Sequence, residues 1–97
     1  MEIRVQSLKF DADQKLLDFV QKKVSKVERF NETITNVDVT LSLLERPENK
    51  NVRIQAYVPG ETLVIERAAT SFEEAVNDAV DAMKEKIVRS KEKRYGA

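Results

Sequence analysis

Between residues 34 and 44 the chain alternates, with Val37, Val39, Leu41 and Leu43 facing one way and Asp38, Thr40, Ser42 and Leu44 the other. A period of two makes a strand with one apolar face. A sheet built on it needs cover on that face alone, and the cover has to come from the same chain. Two segments at helical period supply it. Asp13 stands as an N-cap before Leu16, Val20, Val24 and Val27, with Leu17 beside them, so the spacing predicts a helix over 14–29 that ends at Asn31. Ser71 with Glu74 three residues on forms a capping box, and Phe72, Val76, Ala79, Val80, Met83 and Ile87 trace a second stripe. That helix is predicted from 72 to about 93.

The remaining strands follow from alternation and turn residues. Residues 2–8 alternate from Ile3 and Val5, and residues 52–58 form a strand after the polar, proline-containing loop 45–50. After the Pro59-Gly60 turn comes a strand over 61–68, whose buried face is ambiguous because Leu63, Val64 and Ile65 are consecutive. The order β-α-β-β-β-α predicts an α+β two-layer sandwich, with both helices on one face of a four-stranded mixed sheet and a right-handed first crossover. Asp38, Thr40, Ser42, Arg53, Gln55 and Tyr57 would face water on the other side. A single domain over 1–97 is expected, with a basic, partly flexible end at about 90–97.

Composition removes most chemistry. The chain has no cysteine, no histidine and two glycines among 97 residues. It lacks the usual zinc ligands, thiol nucleophiles and imidazole bases, and cannot carry a dinucleotide fingerprint or a P-loop. Glu73, Glu74, Asp78 and Asp81 suit a helix start and a solvated face better than a cation. No cofactor, metal, small-molecule substrate or enzymatic activity is expected. The longest apolar runs are two or three residues, far short of a membrane span, and nothing at the start reads as a leader. The expectation is a cytoplasmic protein that avoids membranes.

Seventeen basic and seventeen acidic residues cancel, but unevenly along the chain. Residues 71–83 hold four acids and no base, whereas residues 84–97 hold six bases against Glu85 and Glu92. At 100° per residue, Lys86, Arg89 and Lys93 flank the second apolar stripe on one side, and Lys84 and Lys91 flank it on the other. In the first helix Lys23 and Lys26 share a flank with Phe19 and Phe30, while Lys15, Lys22 and Arg29 point more squarely at solvent. Such bases can simply shield the core edge with their stems and complement the helix dipole. Length is what that leaves over: about 22 helical residues at ~1.5 Å outreach seven-residue strands at ~3.3 Å, so the basic end is expected to overhang the sheet. Phe19, Phe30, Tyr57 and Tyr95 could stack bases, but the first two fit the core edge better.

The order of elements and several local strings resemble the ribosome hibernation promoting factor family, also known as ribosome-associated inhibitors or sigma-factor modulation proteins. In the first helix Leu16, Phe19-Val20, Lys23, Lys26, Glu28 and Phe30 match its pattern, and Phe72-Glu73-Glu74-Ala75-Val76-Asn77 followed by Arg89, Lys91 and Lys93 resembles its second helix and basic exit. The sequence departs from that pattern at Ala82 and Glu85, where a lysine and an arginine are common, and at Asn77, where an aspartate is common.

The resemblance implies binding to the small ribosomal subunit, in the channel for mRNA and the A- and P-site tRNAs, so that idle ribosomes are held inactive under stress. Lys22, Lys23 and Lys26 on the first helix, with Lys86, Arg89, Lys91 and Lys93 on the second, are the candidate RNA-binding residues and are expected to form one surface over ribosomal RNA. The chain is too short for the extra dimerising domain of the family's long members, so inhibition without self-driven ribosome pairing is expected. The alternative is a regulatory module that binds a protein, or weakly a second copy of itself, through the exposed sheet face or an edge strand.

Overall fold

A computed structural model describes residues 1–94, with side chains through residue 92. The order is β1 (Glu2–Ser7), α1 (Gln14–Val24), a 3-10 segment (Ser25–Phe30), β2 (Asn36–Leu43), β3 (Lys50–Val58), β4 (Glu61–Ala69) and α2 (Phe72–Arg94). The four strands form one sheet in sequence order, β1 parallel to β2 and the other neighbours antiparallel. The predicted α+β arrangement, β-α-β-β-β-α with two helices on a four-stranded mixed sheet, is the observed one.

Register explains the division of the faces. Ile3, Val37, Ala56 and Leu63 lie in one row across the sheet, and Val5, Val39, Ile54 and Ile65 in another. These rows meet Val20 and Val24 from α1, Val27 from the 3-10 segment, and Val76, Ala79, Val80, Met83 and Ile87 from α2 in a single buried core. Period two on the sheet against period 3.6 on the helices therefore yields one apolar layer. The Leu63-Val64-Ile65 ambiguity resolves with Leu63 buried, Val64 opposite Gln55 on the open face, and Ile65 half-buried at the edge.

Three expectations are corrected. The first helix does not run evenly to residue 29: it tightens into the 3-10 segment at Ser25, whose hydroxyl donates to the Lys22 carbonyl at 2.8 Å. Side chains three apart eclipse in a 3-10 helix, so Val24, Val27 and Phe30 stay in line, the two valines fully buried and Phe30 at the core edge. Lys50 belongs to β3, not to the hairpin loop, and is half-buried beside the Asn49 side chain. The strands of the hairpin are also longer than seven residues, and Ser90 near the end of α2 donates to Glu61 at the start of β4 at 2.7 Å. The helix thus still covers the sheet at Ser90, and any overhang begins later than helix length alone suggests.

Capping fixes both helix starts. The Asp13 carboxylate accepts from the Leu16 amide at 2.8 Å, and the Ser71 hydroxyl accepts from the Glu74 amide at 3.2 Å. The Glu74 carboxylate takes the Thr70 hydroxyl at 3.4 Å. Phe10 stacks on Phe72 with ring centroids 5.2 Å apart, tying the β1–α1 connection to the start of α2. Gly60 supplies the positive φ of 80° that the turn between β3 and β4 requires.

Candidate nucleic-acid interface

Five bases from three elements meet where α1 and the 3-10 segment run beside α2. Lys22 and Lys23 close α1, Lys26 and Arg29 stand on the 3-10 segment, and Lys84 comes from the middle of α2. The threefold step places Lys26 and Arg29 one above the other, in continuation of Lys23. Their mutual repulsion shows in Lys26, whose ammonium is held below the ordinary lysine pKa, first by Lys23, then by partial desolvation and by Lys22, Lys84 and Arg29. Lys23 lies 5.6 Å from the Phe19 ring centroid and Lys84 5.7 Å from that of Phe30. The aromatic rings act as neutral walls under the charges, which keeps the ammonium groups facing outward. Asp81 is the one carboxylate ion-paired to this group among the described residues, 3.9 Å from Lys84.

Lys91 lies near the same side. With Arg29, Ser25, Asn31, Glu28 and Glu32 it lines a cavity of about 440 Å³ between the 3-10 segment and the end of α2. Lys86 and Arg89 sit on the opposite flank, over β4. Lys86 donates to the Val64 carbonyl at 2.9 Å, and Arg89 pairs with Glu85 at 3.1 Å. The structure therefore divides the bases expected to form one surface: Lys22, Lys23 and Lys84 gather around Lys26, with Lys91 toward the far end of that flank, while Lys86 and Arg89 stand over β4. The Lys93 side chain and Tyr95 lie outside the described residues.

The fold and its basic flank can be placed among known proteins. The model of the family described as Sigma 54 modulation protein / S30EA ribosomal protein matches residues 3–95. The chain belongs to this family. A ribosomal subunit interface protein from Coxiella burnetii is similar in structure, with a TM-score of 0.85 at 16% identity, covering 94% of this chain and 98% of that one. The N-terminal domain of Thermus thermophilus Protein Y gives a TM-score of 0.79 at 23% identity, covering 92% of this chain and 98% of that one. At these identities the likeness establishes the shared fold. No curated protein sequence matches the chain.

Within this S30EA-family chain, Ala82 and Glu85 both line a groove beside β4, together with Lys86 and Arg89. Asn77 is exposed on α2. Sequence reasoning missed Lys84 and Arg29 as members of the patch. The signal for Lys84 was its shared flank with Lys91, but helical phase alone does not say which flank of α2 meets α1. Among the described residues, no group of three or more His, Cys, Asp or Glu side chains is placed to hold a metal ion, and no helix is long and apolar enough to cross a membrane.

Proposed function

We propose that this protein binds the small ribosomal subunit through ribosomal RNA, occupies the mRNA and tRNA channel, and so keeps idle ribosomes inactive in the cytoplasm. The observation that carries the reading is the concentration of Lys22, Lys23, Lys26, Arg29 and Lys84 on one flank of a chain whose formal net charge is zero. Charge gathered against its own repulsion is costly to the free protein and is relieved by phosphates. The likeness to a ribosomal subunit interface protein supports the same partner. Action would be by occupancy, with no bond made or broken.

Zero net charge gives weak long-range attraction to RNA in general, while a rigid cluster can match a fixed set of phosphates. Binding should favour a folded ribosomal site over flexible RNA. Co-sedimentation with purified small subunits, in the presence of unstructured competitor RNA at physiological salt, tests this directly. Equal competition by the unstructured RNA would end the channel reading.

A further inference from the structure

The basic patch leaves the opposite edge of the molecule unexplained. β4 pairs with β3 on one side only, and α2 reaches its other side through the Lys86 side chain. Between them runs a groove of about 450 Å³. Its floor is apolar, made by buried Leu63 with half-buried Ile65 and Ala82, and its walls carry Arg67, Lys86 and Arg89. The two acids at the groove are already engaged, Glu85 by Arg89 at 3.1 Å and Glu61 by the Ser90 hydroxyl at 2.7 Å. Lys86 and Arg67 have no carboxylate partner among the described residues. Lys86 instead reaches the Val64 carbonyl at 2.9 Å, which shows that this peptide group points away from β3. By the period of two, the peptide groups of Thr62, Glu66 and Ala68 point the same way.

We propose that the groove between β4 and α2 docks an extended acidic segment of a partner protein, which adds as a fifth strand to β4. Leu63, Ile65 and Arg67 share the face of β4 that α2 covers, so the incoming backbone would take the outward-facing peptide groups of β4 while every second side chain faces the groove, apolar ones on Leu63, Ile65 and Ala82 and acidic ones at Lys86 and Arg67. Lys86 is exposed and exchanges a neutral carbonyl for a carboxylate, so that both partners are charged and the bond is the stronger of the two. An RNA backbone fits less well, because carboxylates share the groove and its floor is apolar. A second copy fits less well too, because pairing β4 with β4 would bring two Lys86–Arg67 rows together. The site is separate from the basic patch and does not rest on its function.

The probe is a blocked octapeptide of two valine–serine pairs followed by two glutamate–serine pairs, which sets the valines and the carboxylates on one face of the strand, titrated into the isotopically labelled protein. The proposal expects shifts and exchange protection at the amides of Thr62, Val64, Glu66 and Ala68, with a dissociation constant of about 1 mM or tighter. Lys86→Glu and Arg67→Glu, both at exposed positions, should each weaken it about fivefold or more. The same peptide N-methylated along its pairing edge keeps its charge and should lose the binding, a control that leaves the protein untouched. No shifts at millimolar peptide, equal binding by the N-methylated peptide, or equal binding by the peptide with lysines in place of its glutamates would each overturn the proposal. So would a uridine octanucleotide that shifts these amides where the peptide does not. Protection of the same amides that rises with protein concentration alone would assign the edge to a second copy.

Discussion

Lys84 stands 5.7 Å from the centroid of the Phe30 ring, and this contact joins the middle of α2 to the end of the 3-10 segment. An exposed cation–π contact of this kind contributes about 0.5–1 kcal/mol. Its larger effect is positional, because it sets a base from α2 beside Lys26 of the other helical strand. The candidate interface is assembled by tertiary packing and exists in neither helix alone.

Charge reversal should separate the two flanks of α2. Lys26→Glu and Lys84→Glu are expected to weaken small-subunit binding by about 1 kcal/mol or more each and to flatten its salt dependence by roughly one unit of slope per phosphate contact. Lys86→Glu should bind small subunits as the parent does, and Arg46→Glu in the exposed hairpin loop serves as control. Sedimentation binding across a salt series, with melting curves for each variant, makes the measurement. Normally folded Lys26→Glu and Lys84→Glu proteins with parental affinity would reduce the patch to a solvated helix face.

Lys26 should titrate below the ordinary lysine pKa. The folded protein binds its proton less readily than the unfolded chain, so stability rises with pH between the lowered pKa and the ordinary lysine value, and is flat outside that window on account of this group. Lys23→Gln removes the largest cause and should return Lys26 toward the ordinary value. Side-chain NMR titration of Lys26 reads both effects, and an unmoved Lys26 in the Lys23→Gln protein would contradict the assigned cause.

On the open face the Tyr57 hydroxyl donates to Asp38 Oδ2 at 3.1 Å, while Asp38 Oδ1 is buried with no hydrogen-bond partner among the described residues. This hydrogen bond, followed by desolvation and the Asp38 charge, holds the Tyr57 phenol above its ordinary pKa. A raised folded-state pKa adds stability that is complete below the unfolded value and is lost as pH climbs through the folded one. Asp38→Asn, in a Tyr95→Phe background so that one tyrosine remains, should lower the midpoint of tyrosinate absorbance. No change in that midpoint would show that the hydrogen bond does not govern the phenol.

Ile54 is fully buried at the centre of the sheet, between Val39 and Ile65. Ile54→Ala should destabilise the fold by about 2–5 kcal/mol, as loss of a buried aliphatic side chain leaves a cavity. Denaturant unfolding measures it. Ile65→Ala, half-buried at the edge, should cost clearly less, and the reverse order would place the core wrongly.

How much of this was legible in the sequence depended on whether a signal was local. Val37, Val39 and Leu41 announced β2 by alternation, and Ser71 and Phe72 marked the start of α2, because caps and periodicity act within one element. The 3-10 segment was hidden: Val24 and Val27 satisfy an α-helical stripe as well as a threefold one, and packing against α2 decides between them. Val64 could not be assigned a face until pairing with Gln55 set the register. Lys84 was missed for the same reason, since only the docking of two helices says which flank they share.

The mixed sheet also carries an order of events. β2, β3 and β4 form a meander closed by short turns, whereas pairing Ile3 with Val37 encloses α1 and the whole 3-10 segment. Closing that longer loop costs more chain entropy before its contacts repay it. β1 is therefore the strand expected to dock last during folding and to peel away first under stress, with φ-values near zero along Glu2–Ser7 against a meander already formed in the transition state.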